Sequence, residues 1–405
     1  MAFWRQKHYS ASGSLSNLAW IRFTHNKLGM ASLMVIGFFF GIAILGYLIT
    51  PDSTPFANTQ ILEVSTQKPG FKVQVLKVRK NQPAHQKNFI SRMLFGQPSD
   101  FIDIPISDYS FSKENIEITL FDPEGTGLEA RYRLIDVIYP VETDELTGKL
   151  MLMSSSYRES PVVSNEELKK MVLNEHIQTR RFWLGTDQFG RDLLSRLIIG
   201  TRVSLSVGLI SVAISLIVGI LLGSVAGFFR GRTDDIIVWF INVVWSIPTL
   251  LLVIAITFAL GRGFWQIFIA VGLTMWVEVA RVVRGQIMSL REKEFIEAGF
   301  ALGFSNFRII TRHLLPNILS PVIVISAANF AAAILIEAGL SFLGIGVQPP
   351  MPSWGSMIKE YYSFIILDSA YLALAPGIAI VILVLAFMTL GNTLRDALDV
   401  KLETA

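Results

Sequence analysis

The segment that decides the fold is RGQIMSLREKEFIEAGFALGFSNFRIITRHLLPN, Arg284 to Asn317. Its pattern predicts two short helices with Gly303 between them. Phe295, Ala298 and Leu302 on the first, and Phe307, Ile310 and Leu314 on the second, recur at spacings of three and four and predict apolar faces. Ser305 suits an N-cap of the second helix. Pro316 is expected to end it, and a long uncharged run starts directly behind. A stiff charged element joined this closely to an apolar run can transmit displacement into it.

Outward from this segment the chain is dominated by such runs: 28–51, 203–229, 236–261, 314–336 and 369–394, each without a charge. A bilayer core of about 30 Å needs about 20 helical residues, so each is long enough to span. A shorter run, 264–283, carries Glu278 and is read as a sixth span, because it lies between two others. The run 338–358 holds Gly344, Gly346, Pro349, Pro350 and Pro352 and cannot be one continuous helix. It is read as a re-entrant or surface loop after the fifth span, 314–337. The 405 residues are 52% hydrophobic and only 17% charged, with a mean hydropathy of +0.50. That excludes a disordered chain and most soluble enzymes. With no cysteine, disulfide scaffolds, Cys-ligated zinc, iron–sulfur clusters and thiol nucleophiles are excluded too. A net charge of +3 is too small to imply a nucleic-acid partner, and none is expected.

Lys and Arg in the short connecting segments set the orientation. Residues 1–27 hold Arg5, Lys7, Arg22 and Lys27 without an acid. A secretory signal fits this end less well, because the apolar run is too long and lacks a small-residue cleavage site. The N-terminus is therefore expected inside. The inside segments are then 1–27, 230–235, 281–313 and the tail from Arg395. They hold fourteen Lys and Arg, against two, Arg262 and Lys359, in the short outside ones. Both termini are expected to be cytoplasmic.

Between the first and second spans lies a long outside region, 52–202, with 19 Lys and Arg and 20 Asp and Glu. Its segments 73–79, 116–121, 130–137 and 149–153 alternate or are β-branched, with a turn signal at Asp122-Pro123-Glu124-Gly125. A small β-rich insert domain, 52–181, is expected. Residues 164–181 read as helical, opened by the capping-box spacing of Ser164 and Glu167. There is no internal repeat.

Glu297-Ala298-Gly299, three residues, Gly303, nine residues, then His313-Leu314-Leu315-Pro316 resembles the EAA signature of ABC importer permeases. That pattern has Ala where Gly299 stands. It generally has Ile where His313 stands, although the peptide-transporting branch commonly has Arg-His there. Three further stretches are similar to the C-type permeases of dipeptide and oligopeptide importers: 184–202 with Asp187, Arg191 and Asp192, the loop 340–355 with Gln348 and Trp354, and 392–399. The resemblance covers 20–51 loosely and 182–402 closely. It does not cover about 52–178, an unusually long insert. It implies an α-helical polytopic protein of six spans with a type I (MetI-like) importer core over 182–402, in a bacterial inner membrane.

The resemblance also implies partners: a second, homologous permease, two cytosolic ATPases that use ATP and Mg, an extracytoplasmic substrate-binding protein, and the lipid bilayer. The 285–316 loop would dock on an ATPase through Glu297, Ala298, Gly299, Gly303, Arg308, His313, Leu315 and Pro316. The chain itself has no GxxxxGK[ST] loop and no His and acid cluster at ligand spacing. It is expected to bind no ATP, metal or cofactor and to catalyse nothing. Several residues carry two readings. Glu297 alone would be a solvated helix charge, and Gly303 alone a helix C-cap. Arg308 and Arg312 are equally well ordinary inside-positive charges, and His313 a packed residue. Glu278 and Glu337 are pathway or gating candidates, because ionisable groups at membrane depth are functional by default, or else boundary residues that reach water. Asp187, Arg191 and Asp192 are read as an ion-paired cap at the start of span two and, with Gln348 and Trp354, as candidate contacts of the outside loops. Trp354, Tyr361 and Tyr362 suit an interfacial aromatic belt or contact with the binding protein.

Peptide is the substrate favoured by the branch resembled, although nickel, opine and other small-solute permeases have similar sequences. An ion-coupled transporter working alone would carry paired broken helices in inverted repeats and several mid-membrane acids, and neither is visible. A non-transporting membrane sensor that uses the outside domain would leave the helix pair at 284–317 unexplained.

Overall fold

The computed structural model describes residues 15–398 except 83–86, 124, 126, 144–149, 153–163 and 262. Arg5, Lys7, Glu124, the ends of the predicted 149–153 strand, the turn at Arg262 and the tail from Asp399 lie outside the described residues. A short helix, α1 (Leu15–His25), leads into α2 (Lys27–Ile49), the first span. The Asn26 side chain caps α2 by accepting from the amides of Leu28 and Gly29, at 3.0 and 3.1 Å.

The insert follows, and its core is an antiparallel sheet. Its elements are β1 (Phe71–Arg79), α3 (Phe89–Phe95), β2 (Phe101–Ser112), β3 (Asn115–Leu120), β4 (Glu129–Arg133), α4 (Leu134–Ile138), the small pair β5 (Val141–Thr143) and β6 (Leu150–Leu152), α5 (Asn165–Met171) and β7 (Ile177–Phe182). The large sheet has the order β4-β3-β2-β1-β7. The strand that enters the domain is thus paired with the strand that leaves it, Phe71 opposite Phe182 and Leu76 opposite Ile177. β1 is buried on both faces. Leu76 and Val78 join Ile106, Ile116, Ile118 and the helical Leu134, Val137, Leu168 and Val172. Val73 and Val75 join Ile61, Val64 and Phe182 on the other side.

Three expectations for the insert need correction. Residues 101–112, which hold Pro105, form a strand that the pattern did not mark. Residues 134–138 leave the sheet as a helical turn that drops Leu134 and Val137 into the core. The helix after Ser164, whose predicted capping box is present, ends by His176. Residues 177–182 are a strand instead, because β1 offers them a free edge.

The membrane part consists of α6 (Leu193–Phe229), α7 (Gly231–Trp245), α8 (Thr249–Leu260), α9 (Phe264–Arg291), α10 (Glu294–Ala301), α11 (Asn306–Arg308), α12 (Leu319–Phe342), α13 (Trp354–Tyr361) and α14 (Tyr371–Leu398). Among the described residues five helical stretches are long and apolar enough to cross a membrane, or six if one bent pair counts as a span. The bent pair corrects the third predicted span. Residues 236–261 are not one helix but the end of α7 and all of α8, bent by 94° at Ser246-Ile247-Pro248, where the proline supplies no amide. α6 runs further than its uncharged stretch, and α9 further than 264–283. The basic residues of the last turns of α9 are satisfied locally: Arg284 bonds Asp234 through both arms, and Arg281 bonds Asn242. The 338–358 run is helical up to Phe342, turns tightly, and becomes helical again in α13.

α6 and α9 pack closely along several turns. Gly219, Gly223 and Gly227, four apart, lie on one face of α6. A Cβ on Gly223 would stand 2.6 Å from the Ala280 carbonyl oxygen, and one on Gly227 2.7 Å from that of Arg284. Small residues at this spacing let two helices pack backbone to backbone, the main source of cohesion between helices in lipid.

Candidate functional site

The 284–317 segment folds as two short helical pieces between α9 and α12. α10 ends in a Schellman motif. Gly303 is left-handed (φ 75), its amide donates to Phe300 O at 3.0 Å, and the Phe304 amide donates to Gly299 O at 3.0 Å. This is the turn that glycine provides without steric cost. The Ser305 side chain accepts from the Arg308 amide at 3.4 Å. Behind it the chain does not end at Pro316. It loosens into a wide turn over Ile309–Leu314, tightens over Leu315–Ile318 and runs straight into α12. Proline sits in the first turn of a helix without losing a bond.

The first predicted apolar face, Phe295, Ala298 and Leu302, is the exposed one, and of the second, Ile310 and Leu314 pack inward while Phe307 does not. Ile296 and Gly299, not Phe295 and Ala298, face inward. Ile296, Ile309, Leu314 and Ile318 pack with Phe228 at the end of α6, Val279, Val283 and Ile287 of α9, and Val322 of α12. Phe295, Leu302 and Phe307 are exposed, Phe307 to 76%, as are Glu297 and Ala298. A line of apolar side chains, with the carboxylates of Glu294 and Glu297 beside it, therefore faces away from a base locked into three spans. Arg308 stacks over Phe304 at 4.0 Å, and Phe304 stacks on His313 at 5.6 Å. His313 is half-buried, and its Nε2 is buried without a hydrogen-bond partner. Leu315 is half-buried and Pro316 exposed.

At the opposite end of the bundle, Asp187, Arg191 and Asp192 are all buried. Asp187 accepts from the Phe189 and Arg191 amides, both at 2.9 Å, from Arg191 Nε at 2.6 Å and from the Tyr361 phenol at 2.7 Å. Arg191 also pairs with Glu360, which accepts from Arg196 at 3.1 Å. Burial pushes the Tyr361 phenol well above its usual range, so it stays a donor. Asp192 caps α6 by accepting from the Ser195 amide at 2.9 Å, and the Ser195 hydroxyl accepts from the Asp52 amide at 3.0 Å. The network fastens the segment before α6 to α13. Its buried members present no surface to a partner. Trp354 and Tyr361 are likewise wholly buried, so neither belongs to an interfacial belt. Trp354 donates to Leu197 O at 3.1 Å and meets Phe39 edge-on. Tyr362 is exposed, and so is Gln348, which bonds the Gly344 and Gly346 carbonyls within its own loop.

The two membrane glutamates part company. Glu337 is fully buried, which rules out a boundary position in water. It accepts from Ser341 at 2.7 Å, and Ser353 donates to the same Ser341 oxygen at 3.3 Å. Ser204 of α6 lies 3.5 Å from its other oxygen. The carboxyl thus pins α12, α6 and the loop before α13 together. Glu278 is exposed and lines a cavity of about 160 Å³ at the α7–α8 break, with Trp245, Thr249, Thr274 and Ile336. Arg281, one turn along, lies over Trp245 at 3.5 Å.

The chain is similar to several known proteins. Residues 219–404 match the family described as binding-protein-dependent transport system inner membrane component, and residues 14–69 match the N-terminal TM domain of oligopeptide transport permease C. A glutathione transport system permease protein of Pectobacterium atrosepticum is 40% identical over 55% of this chain and 73% of its own length. A dipeptide transport system permease protein of Alkalihalophilus pseudofirmus is 42% identical over 55% and 73%. The MetNI methionine ABC transporter in inward-facing form aligns with 51% of this chain and 96% of its own at 20% identity, with a TM-score of 0.42. Members of the matched family are non-catalytic, multi-pass inner-membrane subunits that work with a partner permease, ATPases and a substrate-binding protein. The chain belongs to this family of ABC transporter permeases, in its C-type branch.

Proposed function

We propose that the chain forms half of the membrane pathway of an ABC peptide importer. It would cross the membrane six times, counting the bent α7–α8 pair, with both termini cytoplasmic and the sheet domain outside. A related permease would supply the other half, two ATPases the ATP and Mg chemistry, and a binding protein the substrate. Peptide is favoured because the relatives above are named for glutathione and dipeptide.

One observation carries the coupling role. The exposed Phe295, Glu297, Ala298, Leu302 and Phe307 stand on a base whose buried residues touch α6, α9 and α12 together. A displacement of that surface by a closing ATPase pair would move the ends of three spans at once. Gly299 and Gly303 shape the element, Arg308 and His313 brace Phe304 behind it, and Leu315 and Pro316 carry it into α12. Glu278, exposed at the α7–α8 break, is the better placed of the two glutamates to meet substrate. Glu337 would act as a fixed pin.

The test is uptake and ATP hydrolysis measured together on the assembled transporter. Glu297→Lys and Gly303→Asp should uncouple hydrolysis from uptake while leaving membrane insertion intact. Normal uptake by both variants would refute the docking role.

A further inference from the structure

The insert carries an apolar surface that its own core does not use. On α3, Phe89, Ile90, Leu94 and Phe95 are exposed to 68%, 65%, 41% and 64%. In a helix of two turns that is most of the side-chain surface, and no residue of α3 is buried.

Two independent markers fix the height of α3. The first is the end of α2. Gly96, directly after α3, is pressed against the Tyr47 ring, where a Cβ would stand 2.9 Å from ring carbon. The Gln97 amide donates to Ser53 O at 3.0 Å. α3 therefore ends level with the last turn of the first span. The second marker is Arg202, the last charge before the uncharged stretch of α6. Its guanidinium donates to Leu94 O at 2.9 Å and Met93 O at 3.3 Å. Both spans place α3 at the border between apolar and polar surroundings. At the same height on α2, Leu45 and Ile49 are also uncovered.

We propose that α3 is an in-plane membrane anchor, with Phe89, Ile90, Leu94 and Phe95 sunk into the headgroup–acyl boundary of the leaflet on the insert side. Lipid is the occupant because the surface sits at the height where the first span ends and where Arg202 opens the uncharged stretch of α6. Helices with bulky apolar residues on one face and polar ones on the other lie in the boundary between headgroups and acyl chains. The sheet domain is then held at two places: by the paired β1 and β7 where it joins the bundle, and by α3 in the lipid.

The absence of cysteine allows a direct test. Nitroxide labels are placed singly through Ile90→Cys, Phe95→Cys and Ser110→Cys in the full chain, assembled with cysteine-free partners in lipid nanodiscs. Collisions with oxygen and with a water-soluble nickel chelate are then measured. At residues 90 and 95 oxygen should dominate, and at Ser110, exposed on β2, the ratio should reverse. Dominance of the nickel chelate at 90 and 95 would place α3 in water and overturn the proposal. Exclusion of both reagents would place it under a protein partner, which overturns it equally.

Discussion

The Asp187 carboxylate accepts from the Tyr361 phenol at 2.7 Å across 174 residues of chain. It does so while also holding Arg191, and with Arg196 Nε at 3.7 Å. The network joins the start of α6 to α13, the two elements that flank the bundle on the insert side. Removing one partner of a buried ionic group leaves the others uncompensated, at a cost of about 3–5 kcal/mol. Removing one hydrogen bond to a charged acceptor costs about 1.5–3 kcal/mol. Asp187→Ala should therefore lower the thermal midpoint of the purified complex more than Tyr361→Phe does. Equal midpoints in the two variants would mean that Asp187 is not the hub.

Asp192 lends the same region a pH dependence. Burial pushes its carboxyl above the ordinary aspartate value, and the Ser195 hydrogen bonds only partly oppose this. A raised acid binds its proton more tightly in the folded chain than in the unfolded one. Its contribution to stability is then full below about pH 4 and is lost as pH rises through the raised value. Asp192→Asn keeps an N-cap side chain but has no proton to lose. The variant should gain stability relative to the parent as pH rises through that window. Parallel melting-temperature profiles for the two proteins would contradict this.

The two glycines of the 297–303 stretch should respond in opposite ways to alanine. At Gly299 a Cβ would meet Phe304 at 3.5 Å, an ordinary contact, and alanine is the better helix former by about 1 kcal/mol. Gly299→Ala should leave uptake and stability unchanged or slightly improved. At Gly303 nothing crowds a Cβ, but φ is +75, and a left-handed L-residue costs about 1–2 kcal/mol. Gly303→Ala should lower coupled uptake while the protein still reaches the membrane. A wild-type uptake rate for Gly303→Ala would show that the turn does not limit coupling.

These residues also mark where the sequence was readable. The Gly303 turn, the Ser305 and Ser164 caps and the apolar stretches depend on neighbours in the chain, and each has a local signature. The spacing of Phe295, Ala298 and Leu302 marks an apolar face on α10 but not whether it points inward, and Ile296 is the residue that enters the core. The α7–α8 bend was hidden because a hydropathy run shows no direction, although Pro248 was in view. The glycines at 219, 223 and 227 carried a small-residue spacing that could have revealed the α6–α9 contact. Asp187 with Tyr361, and Glu337 with Ser204, are joined over more than a hundred residues, and no local pattern reports such pairs. The same holds for the polar cleft of about 300 Å³ between the end of α2 and the sheet, which Asp52, Lys77, Arg92 and Arg180 line from separate segments.

The sheet order suggests how to test what the insert is for. Cutting out 60–175 would remove Ile61 and Thr66, whose amides donate to Phe189 O and Asp187 O at 3.1 and 2.9 Å. It would also strip β7 of its partner, so a loss of uptake would say nothing about the domain itself. A cleaner excision uses the pairing of Leu76 with Ile177. Replacing 77–176 by Asn-Gly joins two antiparallel neighbours through a turn that suits a two-residue hairpin. It keeps residues 61–76 and the Asp187 network. The shortened chain should still insert and assemble, because the core packing in 182–398 is untouched. If the domain guides the binding protein or braces the partner permease, uptake should fall while basal ATP hydrolysis persists. Uptake at the parent rate, with assembly intact, would show the domain to be dispensable for transport.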